Sequence, residues 1–196
     1  MKISGIILAA GASTRMTKYK QLLRFKGQSL LNDVVSKCSH LDLHQIICIT
    51  GYLNEELKAE VGNSHMVFIH NNKHEDGMVS SLQLGINHLL EDSQTEAALV
   101  MLTDQPLVPL SHYQAMLGKM RENSHLLMAT SYNDTIGVPA IYSRAYFSEI
   151  LSLDKHSSAK SILKRHQERV LTMECAEAGI DIDTDQDYQK LLDYYE

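Results

Sequence analysis

The sequence predicts an α/β fold with a mostly parallel sheet and helices on both of its faces. Three observations carry this. Short apolar runs recur along the chain, stretches with helical spacing separate them, and no repeat, low-complexity tract or Pro/Gly-rich linker divides it. Runs that are apolar throughout suit strands covered on both sides, and strands alternating with helices suit a parallel sheet between helical layers. The first strand is expected over Ile3–Ala9, and a helix follows in which Leu30, Leu31, Val34 and Val35 recur at i, i+1, i+4 and i+5. Further strands are expected at Gln45–Thr50 and Met66–His70. A helix carrying Leu82, Ile86, Leu89 and Leu90 comes next, then strands at Ala97–Leu102 and Leu126–Ala129. The stretch 130–142 reads as a hairpin-like excursion leading into helices after Ser143. After a Gly179-Ile180-Asp181-Ile182-Asp183-Thr184 turn, Asp185–Tyr195 reads as an acidic closing helix.

The 196 residues fit one domain, residues 1–196, long enough to bury a core without staples. A composition of 44% hydrophobic and 21% charged residues excludes wholesale disorder. No apolar run approaches the roughly 20 residues of a membrane span. The start, Lys2 followed by Ile6 to Ala10, imitates a signal peptide only faintly, because it runs straight into Arg15, Lys18 and Lys20. Three cysteines, Cys38, Cys48 and Cys175, give an odd count with no CxxC pair. That speaks against a disulfide framework or a thiolate metal site and for a reducing cytoplasm. The histidine pairs His40/His44 and His70/His74 have i, i+4 spacing but no HExxH context, so no zinc site is expected. The nine methionines read as core filler.

The net charge of −6 conceals an asymmetry. Residues 1–32 hold six basic residues and no acid, whereas the other 164 hold 12 basic and 24 acidic residues. A cationic end on an acidic chain suggests a local site for a small anion rather than a nucleic-acid footprint. In open parallel sheets ligands bind beyond the carboxyl ends of the strands, where strand order reverses. Two loops stand at such ends: Leu8-Ala9-Ala10-Gly11-Ala12-Ser13-Thr14-Arg15-Met16 and Leu102-Thr103-Asp104-Gln105-Pro106. Small residues in the first let the backbone approach phosphate oxygens, and Arg15 and Lys20 supply positive charge for a polyphosphate. Asp104, directly after an apolar strand, is placed to hold Mg²⁺. The first loop is neither a P-loop nor a GxGxxG fingerprint.

Leu8-Ala9-Ala10-Gly11-x-Ser13-x-Arg15-Met16-x-x-x-Lys20-x-Leu22-Leu23 resembles the opening signature of nucleotidyltransferases with the three-layer, Rossmann-related glycosyltransferase-A-like fold. More narrowly, the chain is similar to the molybdenum cofactor cytidylyltransferase branch. Asn71 with Gly77-Met78-Val79-Ser80-Ser81-Leu82, then Asp104-Gln105-Pro106, then Asp181-Ile182-Asp183-Thr184 carry that narrower likeness. The resemblance implies transfer of CMP from CTP to the terminal phosphate of molybdopterin with release of pyrophosphate. It implies that the loop from Ala10 through Ala12 and Ser13 to Arg15 cradles the triphosphate, with Leu8 and Ala9 also at the nucleotide. Arg15 and Lys20 would neutralise charge on the α-phosphate and the departing pyrophosphate. Asp104 and Asp183 would hold Mg²⁺, and Asn71, Ser80 and Ser81 would lie near base and ribose. Ala10 stands where guanylyltransferase relatives tend to carry Gly, which favours a pyrimidine.

The acceptor being a phosphate already ionised, no strong general base is needed, and none is evident. The implied partners are CTP, molybdopterin, and a molybdoenzyme apoprotein or its maturation factor, with no nucleic acid and no membrane. Three positions depart from the family pattern. Thr17 replaces the Gly after Arg-Met, Leu153–Lys160 replaces a Gly-Asp-x-Gly-Ala-Arg stretch, and Asp185 replaces the proline after Asp-x-Asp-Thr. Two other functions fit the same residues. One is a nucleotidyltransferase using another phosphorylated acceptor; the other is a non-catalytic protein that hands the cofactor to a molybdoenzyme.

Overall fold

The computed structural model describes residues 1–13, 15–62, 65–122 and 126–195. In chain order the elements are β1 (Ile3–Ala9), β2 (Arg24–Phe25), β3 (Gln28–Ser29), α1 (Leu30–Ser39), β4 (Ile46–Thr50), α2 (Asn54–Val61) and β5 (Val67–His70). Then come α3 (Met78–Glu91), β6 (Ala97–Leu102), α4 (Leu110–Glu122), β7 (Leu127–Tyr132) and β8 (Thr135–Ser143). The chain closes with α5 (Phe147–Leu151), α6 (Lys160–Arg165), β9 (Val170–Glu174) and α7 (Asp185–Tyr195).

All seven residues of β1 are buried, as only a strand covered on both faces can be. It sits inside a seven-stranded sheet ordered β5-β4-β1-β6-β8-β7-β9. Pairings β1–β4, β4–β5, β1–β6 and β7–β9 are parallel, and β8 runs against both its neighbours. The chain steps outward from β1 through β4 to β5 and then returns to the other side of β1 as β6. Strand order therefore reverses between β1 and β6, and the loops leaving those two strands flank the crevice.

Alternate residues of β1 feed two cores. Ile3, Ile7 and Ala9 pack with Leu31 and Val34 of α1, Leu57 of α2, and Tyr113, Met116 and Met120 of α4. Ile6 and Leu8 pack with Leu82 and Ile86 of α3, Phe147 and Ile150 of α5, and Ile162 and Leu163 of α6. The result is a three-layer sandwich. α3 lies so close to β1 that a Cβ on Gly85 would come 3.1 Å from a methyl of Ile6. Each buried aliphatic side chain contributes about 1.5–3 kcal/mol, so these faces hold the layers together.

α7 belongs to neither layer. Its Leu191, with Ile182 just before it, packs on Leu23, Phe25 and Leu30. Tyr188 donates a 2.7 Å hydrogen bond to the Arg24 carbonyl. The small β2–β3 hairpin thus draws the last helix against the first loop.

The first strand, the Ala97–Leu102 strand and the closing helix fall where the sequence places them. The excursion over 130–142 is a true hairpin, with Tyr132 opposite Thr135 and Asn133 and Asp134 at positive φ in a two-residue turn. Three elements give no such signal. α2 buries only Leu57 among its charges, α4 presents His112 and Tyr113 on its inner face beside its methionines, and β9 is a half-exposed edge strand without an apolar run.

Candidate active site

β1 and β6 end level, Leu8 opposite Leu102, so the Ala10 loop and the Thr103-Asp104 loop face each other at the reversal of strand order. Gln21 sets the shape of the first. Its amide, in a residue only 2% exposed, donates to the carbonyls of Ala9 (3.0 Å) and Gly11 (2.7 Å). Ser13 takes the left-handed conformation, φ 51°, and its hydroxyl accepts from the Lys20 amide at 3.0 Å. The loop is therefore tied from inside before any ligand arrives.

Lys20 is the electrostatic centre. Its ammonium pairs with Asp104 Oδ2 and lies 3.2 Å from Asp183 Oδ1, while Arg15 Nη2 reaches Asp183 Oδ2 at 2.8 Å. Asp183 is 163 residues from Lys20 in sequence. It arrives because Ile182 is wholly buried under α7 and donates its amide to the Asp104 carbonyl at 2.9 Å. Burial pulls the Lys20 pKa down, but the Asp104 carboxylate and then Asp183 outweigh it, so the net shift is upward and the cation persists. For Asp183 burial raises the pKa, and Lys20 followed by Arg15 more than reverses that, leaving it below the ordinary carboxylate range. Asp181 goes the other way, raised by desolvation and by the nearby Asp104 charge.

Asp104 Oδ1 is buried and has no hydrogen-bond partner. An unpaired buried carboxylate oxygen costs about 1–3 kcal/mol or more, and a cation beside it would remove that cost. Asp104 and Asp183 are both hard oxygen donors held around one point, a set suited to Mg²⁺ or Mn²⁺. Among the described residues no group of three acidic, histidine or cysteine side chains gathers for a metal. Two carboxylates leave room for phosphate oxygens and water, as Mg²⁺ prefers.

Of the residues singled out from the sequence, Leu8, Ala10, Gly11, Lys20, Ser81 and Asp104 line a cavity of about 220 Å³. Ala9 is buried inside β1, Ala12 and Arg15 are exposed, and Ser13 is half-buried. Asn71 is buried and donates to the hydroxyls of Ser80 and Ser81, both at 2.9 Å, tying β5 to the start of α3. Asn71 and Ser80 line a neighbouring surface depression rather than this cavity.

Two of the departures from the family pattern meet each other. The Thr17 amide lies 3.3 Å from Asp185 Oδ2 and its hydroxyl 3.3 Å from Oδ1. Thr17 is not at positive φ, so no glycine is required there. The third, Leu153–Lys160, packs beside the site. The Lys155 carbonyl is 3.8 Å from where a Gly77 Cβ would stand, and Lys160 hydrogen-bonds Thr135. Gln83 holds the start of that stretch through the Leu153 carbonyl at 2.8 Å.

Sequence reasoning did not single out Gln21, quoted Gln105 only within the Asp104-Gln105-Pro106 motif, and took His74 only as half of a pair unsuited to zinc. Gln105 is buried and donates to the Ala178 carbonyl (2.9 Å) and Asp181 (3.1 Å), fixing the turn that carries Asp183. A polar residue between Lys20 and Leu22 of the opening signature was the available signal for Gln21. Sequence reasoning also missed a wider open depression of about 650 Å³ around the β7–β8 hairpin, lined by Ser131, Asn133, Thr135, Lys164, Gln167 and Thr172 among others.

Residues 5–170 match the family described as MobA-like NTP transferase domain. The molybdenum cofactor cytidylyltransferase of Escherichia coli (strain K12) is 24% identical over 187 residues, 95% of this chain and 93% of that protein. The bifunctional protein GlmU of Staphylococcus haemolyticus (strain JCSC1435) is 30% identical over 146 residues, 74% of this chain. The chain matches only 31% of GlmU, about a third of its length. Among solved structures, Rv0371c from Mycobacterium tuberculosis H37Rv superposes with a TM-score of 0.79 at 24% identity, covering 98% of this chain and 97% of that one. That protein has also been solved as a complex with manganese. With most of its length inside the matched region, the chain belongs to the MobA-like NTP transferase domain family.

Proposed function

We propose that the chain transfers CMP from CTP to the terminal phosphate of molybdopterin, with Mg²⁺, and releases pyrophosphate. The observation that carries this reading is the meeting of Arg15, Lys20, Asp104 and Asp183 where strand order reverses. A phosphate oxygen of the acceptor attacks the α-phosphorus. The new P–O bond forms as the bond to the β-phosphate oxygen breaks, and the electron pair leaves on pyrophosphate. Asp104 and Asp183 would hold Mg²⁺, which would supply charge compensation for the phosphate oxygens. Lys20, kept protonated by its two carboxylates, faces the same charge, and Arg15 reaches it from the rim. Such preorganised charges need no reorganisation as the reaction proceeds. The Gln21 clamp holds the Ala10–Ser13 backbone ready for the triphosphate. Ala10 favours a pyrimidine, and the near-complete mutual coverage with the cytidylyltransferase relative supports CTP and molybdopterin. Three buried free cysteines suit a reducing, cytoplasmic setting.

A second reading keeps the nucleotide chemistry but changes the acceptor to another phosphorylated compound. It is favoured by the 153–160 departure and by the depression near the hairpin, which is lined mainly by hydroxyls and amides. One experiment separates them. Thermal unfolding with Mg²⁺ and CTP, GTP or ATP identifies the nucleotide, a ligand at 100 times its Kd adding about 2.7 kcal/mol. Pyrophosphate release with molybdopterin against a panel of sugar and alcohol phosphates then identifies the acceptor. Release with molybdopterin and CTP, lowered about 10²–10³-fold in Asp104→Ala, is expected. Turnover on an alcohol phosphate with none on molybdopterin would sink the first reading.

A further inference from the structure

We infer that His74 is the residue that reads the nucleobase, its neutral Nε2 accepting a hydrogen bond from an exocyclic amino group so that cytosine is taken over uracil. This rests on the cytidylyl reading above and adds to it the residue that decides the base. His74 opens the short 3-10 turn between β5 and α3, and its ring lines the same cavity as Lys20 and Asp104. A nucleotide whose phosphates meet those two residues must place its base among the cavity's uncharged members, including Ala10, His74, Met78 and Ser81.

The tautomer is fixed by the chain itself. His74 Nδ1 lies 3.0 Å from the Asn71 carbonyl, and a carbonyl can only accept, so Nδ1 carries the proton. In the neutral ring Nε2 is then an acceptor, and it has no hydrogen-bond partner among the described residues. Asn71 is therefore a positioning residue. Its side-chain amide is spent on Ser80 and Ser81, and its backbone carbonyl sets the histidine.

The ring's place is fixed as well. A Cβ on Gly51 would stand 2.6 Å from the Ala10 carbonyl oxygen and 2.9 Å from His74 Cβ. Only glycine allows the end of β4, the phosphate loop and the histidine to meet so closely. Tyr52 then sets its ring against His74, centroids 6.2 Å apart and nearly perpendicular, and Tyr19 stacks on Tyr52 at 5.7 Å. Tyr52 is 63% and Met78 58% exposed, two of the few large apolar side chains left in water. Apolar surface beside an acceptor of fixed direction suits a flat heteroaromatic ring bearing an amino group. The cytosine amino group donates to Nε2, whereas the uracil carbonyl at the same ring position would set lone pair against lone pair.

The test uses the whole chain with Mg²⁺ and measures the Kd of CTP, UTP and the 4-deamino analogue of CTP by calorimetry. The wild type should prefer CTP over the analogue by about tenfold, the upper range for one neutral hydrogen bond. His74→Phe keeps a ring and removes the acceptor, so this ratio should fall to about one with the analogue's own Kd unchanged. His74→Gln offers an amide that can turn either way, so CTP binding should persist while UTP binding improves. A ratio that survives in His74→Phe, or equal weakening of all three ligands, would overturn the assignment while leaving the cytidylyl reading in place. A wild type that prefers a purine nucleotide would overturn both. Should His74→Phe not fold, a wild type binding CTP and the analogue equally tightly would still be decisive against the inference, and CTP and UTP binding by His74→Gln still tests it.

Discussion

The sheet has two unlike halves. On one side, β5, β4, β1 and β6 run parallel, and the loops at their carboxyl ends gather Lys20, Asp104, His74 and the small residues of the first loop. On the other, β8 is reversed between β6 and β7, and the hairpin it forms frames a broad depression where Lys164 stands with Asp134, Glu174 and several hydroxyls and amides. The first half is tightly prearranged by ion pairs and a buried glutamine; the second is open. Tyr132 lines the depression and still senses the first half, its pKa raised by burial and then by the charges of Asp181 and Asp104. The difference teaches where constraint falls in a transferase of this kind. Fixed opposite charges need ion pairs and buried hydrogen bonds to hold them, whereas an open polar surface has fewer obligatory partners.

The sharpest way to break this contrast is at Asp104. Asp104→Ala should lower the rate of pyrophosphate release by about 10²–10³-fold, the usual worth of a preorganised charge, with the cooperative thermal transition retained. Loss of the folded transition instead would show that the carboxylate is structural. Next in size is Gln21→Ala, which takes the buried donor away from the Ala9 carbonyl and the tie away from Gly11. It should cost about 1–3 kcal/mol in urea unfolding and weaken CTP binding. An unchanged midpoint would mean that the loop holds its shape without the clamp.

Lys164→Ala in the open half should raise the acceptor KM several-fold and leave the Kd of CTP untouched. A change in CTP affinity would erase the division between the halves. The smallest effect concerns acid. The Asp183 pKa is lowered by folding, so its contribution is fully present at neutral pH and is lost as pH falls through that lowered value. Lys20, raised by folding, loses its contribution only as pH rises through its own raised value. Lys20→Met should therefore flatten the acid limb of a melting-temperature profile; an acid limb identical to wild type would show that the pair adds no stability.

Legibility followed the range of the interaction. The Ile3–Ala9 and Ala97–Leu102 strands and the Asp185–Tyr195 helix are readable because burial on both faces, or a run of helical residues after a turn, leaves a local pattern. α2 and β9 leave little, since most of their residues face water. Within the site, the motif residues were visible as types and spacings, yet their partners were not. Thr17 and Asp185 each read as an isolated departure, and only the fold shows that one hydrogen-bonds the other across 168 positions.

The sequence by itself determined the alternation of strand and helix, the small-residue loop after the first strand, and the presence of cations there with carboxylates elsewhere. Only the tertiary structure decided that Asp183 stands beside Lys20, because that depends on Ile182 and Leu191 packing against Leu23 and Phe25. It alone decided that His74 Nδ1 meets the Asn71 backbone carbonyl, which accepts its proton in a hydrogen bond and leaves Nε2 without a partner among the described residues. Periodicity is a short-range property of the chain, whereas the placement of a charge or a lone pair is settled by apolar burial between segments far apart in sequence.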